Sequence, residues 1–132
     1  MRMRKLTIHD PIFGASLTLL IGSAEQYNRF MCKKFPKFKK EDFAREDEMG
    51  LYESRKLPDK SKDRYIWMPE WKNDDEHRDT LMHETDHASH EMLLYVCMVR
   101  TKASEECFVY HKTWLYRECL KRLNGGKYGK TS

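Results

Sequence analysis

The sequence predicts an α+β fold, in which a small, antiparallel-rich β-sheet with an N-terminal covering helix is followed by two packed C-terminal helices. Strand-like segments occupy residues 5–22 and 50–68 and are separated by turn-forming Asp, Pro and Gly residues. After residue 74, apolar residues instead recur every three or four positions, which is the period of an α-helix. Because strands are predicted in adjacent pairs and the two long helices follow the last strand, an α+β architecture is favoured over a parallel α/β one.

The N-terminal third is predicted to form a hairpin and one helix. Residues 5–9 alternate weakly and end at a turn, and residues 16–22 are richer in β-formers. Ser23 then offers an N-cap, and Gln26 three residues later completes a capping box. The helix should run to about residue 35, where Pro36 stops it, and it should cover one face of the sheet.

Two further strands are predicted at residues 50–54 and 63–68, before the long helices. Asn73 or Asp74 can cap a helix over residues 75–99. The apolar set that should define its buried side is Leu81, Ala88, Met92, Tyr95 and Val99.

The last predicted helix covers residues 105–123 and begins after Ser104, its N-cap. Asn124 and Gly125 form a stop signal. The buried stripe of this helix should comprise Phe108, Leu115, Cys119 and Leu123, with Val109 and Trp114 nearby.

Length and composition bound the organisation of the chain. Its 132 residues suit one domain, predicted as residues 1–124 with a flexible polar tail over residues 125–132. There is no apolar run of 18 residues and no signal-peptide h-region, so we expect a cytoplasmic protein without membrane contact. The four cysteines lack Cys-x-x-Cys spacing and are expected to be buried, reduced thiols.

The motif with the clearest chemistry is His83-Glu84-x-x-His87, within the first long helix. Residues four apart on a helix differ by ~40° in direction and ~6 Å in height, so both imidazoles can reach one metal ion. Zn²⁺ is the cofactor this pattern predicts, and Glu84 is placed to take a proton from a zinc-bound water. Eight acids against two basic residues over positions 70–91 are consistent with a cation site, although a solvated helix face has the same composition.

A catalytic zinc usually has a third protein ligand, and the sequence offers two candidates. The metzincin pattern would need Gly at position 90 and His at position 93, where this chain has His90 and Leu93. Glu105 and Glu106 open the next helix after a short connection, which favours antiparallel packing of the two helices. Glu106 is preferred because its neighbours Val109 and Tyr110 are apolar or aromatic, but Glu105 stays open.

These residues resemble the small, phage- or prophage-type zincin-like metallopeptidases. The resemblance rests on residues 80–88, which contain the HExxH motif, and on residues 104–110, which contain Glu-Glu-x-x-Val-Tyr. It implies a minimal gluzincin core with His83, His87 and Glu106 as zinc ligands and Glu84 as the base. The chain departs from the common pattern at Asp86, where an apolar or small residue is usual; Asp86 is therefore considered as a hydrogen-bond acceptor for a ligand imidazole.

Further polar side chains lie near the motif in the sequence, and their positions indicate candidate roles. His90 follows His83 by seven residues, so it is either a substitute ligand or a structural polar group. Tyr110 and His111, beside Glu106, are candidate catalytic residues that donate to an oxyanion, with ordinary packing as the alternative for Tyr110.

The function predicted from these patterns is a zinc-dependent hydrolase, most plausibly a metallopeptidase that acts on a peptide or protein. Residues 65–68, before the helix, are considered as a sheet edge to which an extended peptide adds. The alternative is a phage-type protein that binds a host protein on the same scaffold, with the metal structural or vestigial. A weaker nucleic-acid contact is considered for Lys33, Lys34, Lys37, Lys39 and Lys40. A third reading is that the motif is accidental.

Overall fold

The computed structural model describes residues 2–11, 14–59, 61–96, 98–99 and 101–125. The α+β class and the order of elements are as predicted from the sequence. No helix among these residues is long and apolar enough to cross a membrane. The elements are β1 (Arg4–His9), β2 (Ser16–Ile21), α1 (Ala24–Lys34), a 3₁₀ turn (Lys40–Asp42), β3 (Leu51–Lys56), β4 (Lys62–Met68), α2 (Asp75–Tyr95) and α3 (Glu105–Leu123).

The four strands form one mixed sheet in the order β1-β2-β4-β3. Two antiparallel hairpins, β1–β2 and β3–β4, are joined by parallel pairing of β2 with β4. A parallel partner requires a long crossover connection, which α1 and the segment after it provide. The predicted antiparallel-rich sheet is thus met only in part, because its central pairing is parallel.

The sheet order corrects the predicted peptide-binding edge. Residues 65–68 belong to β4, which pairs with β2 on one side and β3 on the other. β4 therefore has no free edge, and the prediction that it accepts an added strand is wrong. The outer strand beside α2 is β3.

One face of the sheet packs against the buried side of α1. The helix begins with the predicted capping box: the backbone N–H of Gln26 donates to Ser23 Oγ at 3.1 Å, and that of Ser23 donates to Gln26 Oε1 at 2.9 Å. Tyr27 is fully buried, and its ring centroid lies 5.5 Å from that of Trp67 on β4. Met31 is fully buried in the same cluster.

The opposite face of the sheet packs against α2 and α3. Side chains alternate between the two faces along β2 and β4, and those on this face are Leu17, Leu19, Ile66 and Met68. The helices contribute Leu81, Ala88, Met92, Leu115, Cys119 and Leu123, most of the predicted set.

Three predicted apolar positions are exposed instead. Tyr95 and Val99 have 48% and 67% of their surfaces exposed, because α2 ends at Tyr95 and does not continue to residue 99. Val109 is 46% exposed on the outer side of α3. The prediction of buried thiols holds for Cys119 but is wrong for Cys32, which is exposed; Cys97 and residues 126–132 lie outside the described residues.

Candidate metal centre

The two motif histidines lie side by side on the outer surface of α2. Their Nε2 atoms are 3.3 Å apart, and their ring centroids are 4.9 Å apart at 81° between planes. A tetrahedral zinc with Zn–N bonds of about 2.0–2.1 Å places two ligand nitrogens about 3.3 Å apart. The separation of the two imidazole nitrogens therefore fits a shared zinc ion.

Glu84 completes a group of three possible ligands with these histidines. One ligand atom from each of His83, Glu84 and His87 lies within 4.8 Å of the others, and no other such group occurs among the described residues. The histidines are exposed, whereas only 8% of the surface of Glu84 is exposed. The chain thus presents a carboxylate from the protein side and two imidazoles toward solvent.

The environment of Glu84 raises the pKa of its carboxyl group above the ordinary value. Burial is the main cause, and the negative charge of Glu48 acts in the same direction. His83, His87 and hydrogen bonding with the backbone of Tyr52 lower the pKa and offset part of the shift. The link to Tyr52 also shows that Glu84 lies beside the edge strand β3.

A cavity of about 380 Å³ adjoins this group, between α2 and the turn that precedes β3. The close approach of turn and helix depends on Gly50, because a Cβ there would lie 2.9 Å from Thr80 Cγ2 and 3.1 Å from the carbonyl oxygen of Trp67. The cavity is lined by Glu48, Met49, Gly50, Asp79, Thr80, His83 and Glu84.

Side chains further along α2 attach β3 to the helix. The hydroxyls of Tyr52 and Ser54 donate to the two carboxylate oxygens of Glu91 at 2.9 and 2.8 Å. Arg64, which is 3% exposed, places Nε 3.3 Å from Glu91 Oε1 and stacks over the ring of Tyr95. This network could not be predicted from the sequence, because strand patterns do not identify which carboxylate on a helix a strand hydroxyl will contact.

The helices α2 and α3 pack antiparallel in a register that places the start of α3 beyond the histidine pair. Lys112 Nζ lies 3.6 Å from Asp86 Oδ1, and the ring of Phe108 lies 5.5 Å from that of His90. Because Phe108 already faces His90, Glu106 lies near a later part of α2 than His87. The structure therefore does not bring Glu106 beside His83 and His87, and its role as third ligand stays a prediction.

Glu106 instead lines a second cavity, of about 630 Å³, together with Tyr110 and His111. The reason for preferring Glu106 over Glu105 is also weakened, because Val109 and Tyr110 are 46% and 70% exposed and do not face α2. The complete lining of this cavity is Asp10, Pro11, Glu106, Cys107, Tyr110, His111 and Trp114.

His111 is the centre of a buried hydrogen-bonded chain that sequence reasoning missed. Its Nε2 lies 2.8 Å from Asp10 Oδ2, and its Nδ1 lies 2.6 Å from Ser89 Oγ. All three residues are at least nine-tenths buried. With both ring nitrogens engaged in this chain, His111 is placed for packing, and the proposed oxyanion role of His111 and Tyr110 gains no support from their positions.

The two remaining predicted residues also have specific contacts. The ring of His90 packs against Phe108, in keeping with a structural role. The carboxylate of Asp86 is paired with Lys112, and the ion pair is half-exposed.

Comparison with known proteins adds no family assignment. No family model, curated protein or solved structure matches the chain. The resemblance to zincin-like metallopeptidases therefore remains a prediction, and the geometry of the His83, Glu84 and His87 group carries the functional interpretation.

Proposed function

We propose that the chain is a zinc-dependent hydrolase that cleaves peptides, on a zincin-like scaffold. The observation that carries the proposal is the 3.3 Å separation of His83 Nε2 and His87 Nε2, with the Glu84 carboxylate in the same group. Two imidazole nitrogens at this separation match two of the three protein ligands of a catalytic zinc site, and the adjacent Glu84 carboxylate is then available as a base.

His83 and His87 would hold the ion through Nε2. The third ligand has three candidates: Glu106, which the resemblance implies, its neighbour Glu105, and Glu48, which shares a cavity with His83 and Glu84. When bound, zinc supplies a Lewis acid that polarises a carbonyl group and acidifies water.

Glu84 has the position and environment of a general base. Its carboxylate is buried at the cavity wall beside both histidines, where it can accept a proton from water and return it to a leaving amine. A glutamate at this position would contribute about 10²–10⁴-fold to the rate if it acts in this way.

The edge strand β3 is the surface on which a peptide substrate would bind. An extended peptide that adds to the outer edge of β3 would run past Gly50, which lines the same cavity as His83 and Glu84. The main chain of the edge strand would supply the hydrogen bonds, so this mode of binding favours an unfolded substrate segment.

The substitution Glu84→Gln tests the proposed role of the carboxylate. The variant should keep the fold and one equivalent of zinc but lose peptide cleavage by at least about 10²-fold. Cleavage is measured on a mixture of unstructured peptides by mass spectrometry, with zinc content and circular dichroism measured on the same samples.

Cleavage by Glu84→Gln at the wild-type rate would contradict the proposal. Zinc binding by the wild-type chain without cleavage of any peptide would favour the alternative, a protein that binds a host partner and uses the metal for stability.

A further inference from the structure

We propose a second, separate binding site, for a nucleotide phosphate, in a cavity between the end of α1 and the β3–β4 hairpin. This basic cavity has a volume of about 590 Å³, within the range of small-ligand sites. Its lining comprises Lys34, Phe35, Pro36, Lys37, Arg55, Lys56, Leu57 and Pro58.

Positive side chains from two distant segments converge on the basic cavity. The sequence alone indicated only the basic stretch at residues 33–40, which has no acid. The fold adds Arg55 and Lys56 from the end of β3, so among the described residues the lining has four cations and no carboxylate. Convergence of this kind focuses a positive potential, which a solvated lysine run on one helix end does not.

Two of the four cations are anchored by carboxylates outside the cavity. Lys34 Nζ lies 3.4 Å from Asp63, and its ammonium also lies over the rings of Phe35 and Tyr65. Arg55 pairs with Asp42 at 3.1 Å and with Glu53 at 3.0 Å. These pairs fix the two side chains and offset part of their charge.

Lys37 and Lys56 supply the charge that is available to a ligand. Both are exposed, and among the described residues neither forms an ion pair with a carboxylate. Because these two lysines come from different segments and line one cavity, both can contact a phosphate bound there as point charges.

The remaining lining is apolar, which selects among anions. Pro36, Leu57 and Pro58 supply this apolar surface, since Phe35 is only 8% exposed and the Lys34 ammonium lies over its ring. Apolar surface beside cations suits a nucleotide, whose flat base can pack on it and whose phosphate is charged. A peptide of acidic side chains has the charge but lacks the flat group, so the lining favours the nucleotide.

The basic cavity shares no lining residue with the cavity beside His83 and Glu84. The nucleotide site is therefore independent of the proposed zinc chemistry, and each can fail without the other.

Binding is tested with the full chain and four defined probes. AMP and adenosine are titrated by calorimetry, and a fluorescent ten-residue oligothymidylate and an octaglutamate peptide are titrated by anisotropy. AMP should bind at least 10-fold more tightly than adenosine. Stronger binding of the oligonucleotide than of AMP would identify a strand as the source of the phosphate, and equal binding would identify a free nucleotide.

The variants Lys37→Glu and Lys56→Glu should each weaken nucleotide binding at least 10-fold. Lys121→Glu, on α3, has the same change of charge and should leave it unchanged, and circular dichroism checks that all three fold. Absence of AMP and oligonucleotide binding, equal binding of adenosine and AMP, equal binding of octaglutamate, or an equal loss in Lys121→Glu would each overturn the proposal.

Discussion

At the scale of single residues, local geometry and the family resemblance point to different candidates for the third metal ligand. The shared cavity favours Glu48, whereas the resemblance implies Glu106. His83 and His87 are positioned by helical spacing alone, so the sequence predicted them correctly as neighbours. The placement of Glu106 depended on the register of two helices, which spacing within α3 does not reveal. The buried residues Phe108 and His111 decide that register, and they turn Glu106 toward a different cavity.

The zinc affinities of two variants show whether Glu48 or Glu106 is the third ligand. Because Glu48 shares the cavity of His83 and Glu84, Glu48→Ala should weaken zinc binding about 10–100-fold, while Glu106→Ala should bind zinc like the wild type. Affinity is measured by competition with a chromogenic chelator. His83→Ala is the control that should lose the ion, and the reverse ranking of the two glutamate variants would show that Glu106 is the ligand.

The buried pair of Asp10 and His111 is expected to contribute strongly to stability. Asp10→Ala removes the buried hydrogen bond between Asp10 and His111 Nε2, so it should lower the free energy of unfolding by about 1–3 kcal/mol. Urea denaturation measures the loss.

A double-mutant cycle with His111→Ala isolates the interaction of the pair. We expect a coupling free energy of about 1–3 kcal/mol. Additive losses in the double variant would show that the two side chains stabilise the fold independently.

At the scale of elements, local signals predicted most of the boundaries, and the failures came from long-range contacts. The capping box at Ser23 and the N-cap at Asp74 are short patterns that act within one turn, and both occur as predicted. The end of α2 at Tyr95 had no local stop signal, so the prediction continued for four more residues. The parallel pairing of β2 with β4 could not be predicted, because strand patterns do not specify the partner.

The cap of α2 should make stability depend on pH in the acidic range. The backbone N–H of His77 and then its side chain lower the pKa of Asp74 below its ordinary value of 3.8. A carboxyl group whose pKa is lowered by folding stabilises the folded protein at pH values above its ordinary pKa. This contribution is lost as the pH falls through the lower pKa of the folded state. The melting temperature of the wild type, measured by thermal unfolding, should therefore decline as the pH is lowered through this range.

Asp74→Asn separates the charge from the hydrogen bond in this effect. Asparagine is also a good N-cap, so the variant should keep α2. Its melting temperature should decline less below about pH 4 than that of the wild type. An identical decline in both proteins would show that other carboxyl groups govern the acid response.

At the scale of the whole molecule, one sheet separates two apolar clusters, and this arrangement predicts a gradient of local stability. Strands β2 and β4 are paired on both sides and buried on both faces, whereas β1 and β3 are outer strands. Amide hydrogen exchange followed by mass spectrometry should find the slowest exchange in Leu19–Ile21 and Ile66–Met68, and faster exchange in β3. Exchange in β3 as slow as in β4 would contradict this gradient.

The α+β class followed from the sequence because it depends on which periodicities occur and in what order. The proximity of His83 to His87 also followed, since both lie on one helix. The attachment of β3 to α2 through Glu91 did not, because it joins Tyr52 and Ser54 to a helix far along the chain. The sequence therefore predicted which side chains group together on α2 but not the strand that faces them.

The hydrogen bonds between Glu91 and β3 have a consequence for which ligands can enter the space between β3 and α2. With Tyr52 and Ser54 bound to α2 at one end, and Gly50 in close contact with Thr80 at the other, the gap between strand and helix has a fixed width. A ligand must then adjust its own shape to the gap. Under the proposed function, the substrate loses conformational entropy in that adjustment, so we expect unstructured termini and linkers to be cut in preference to loops constrained within folded domains.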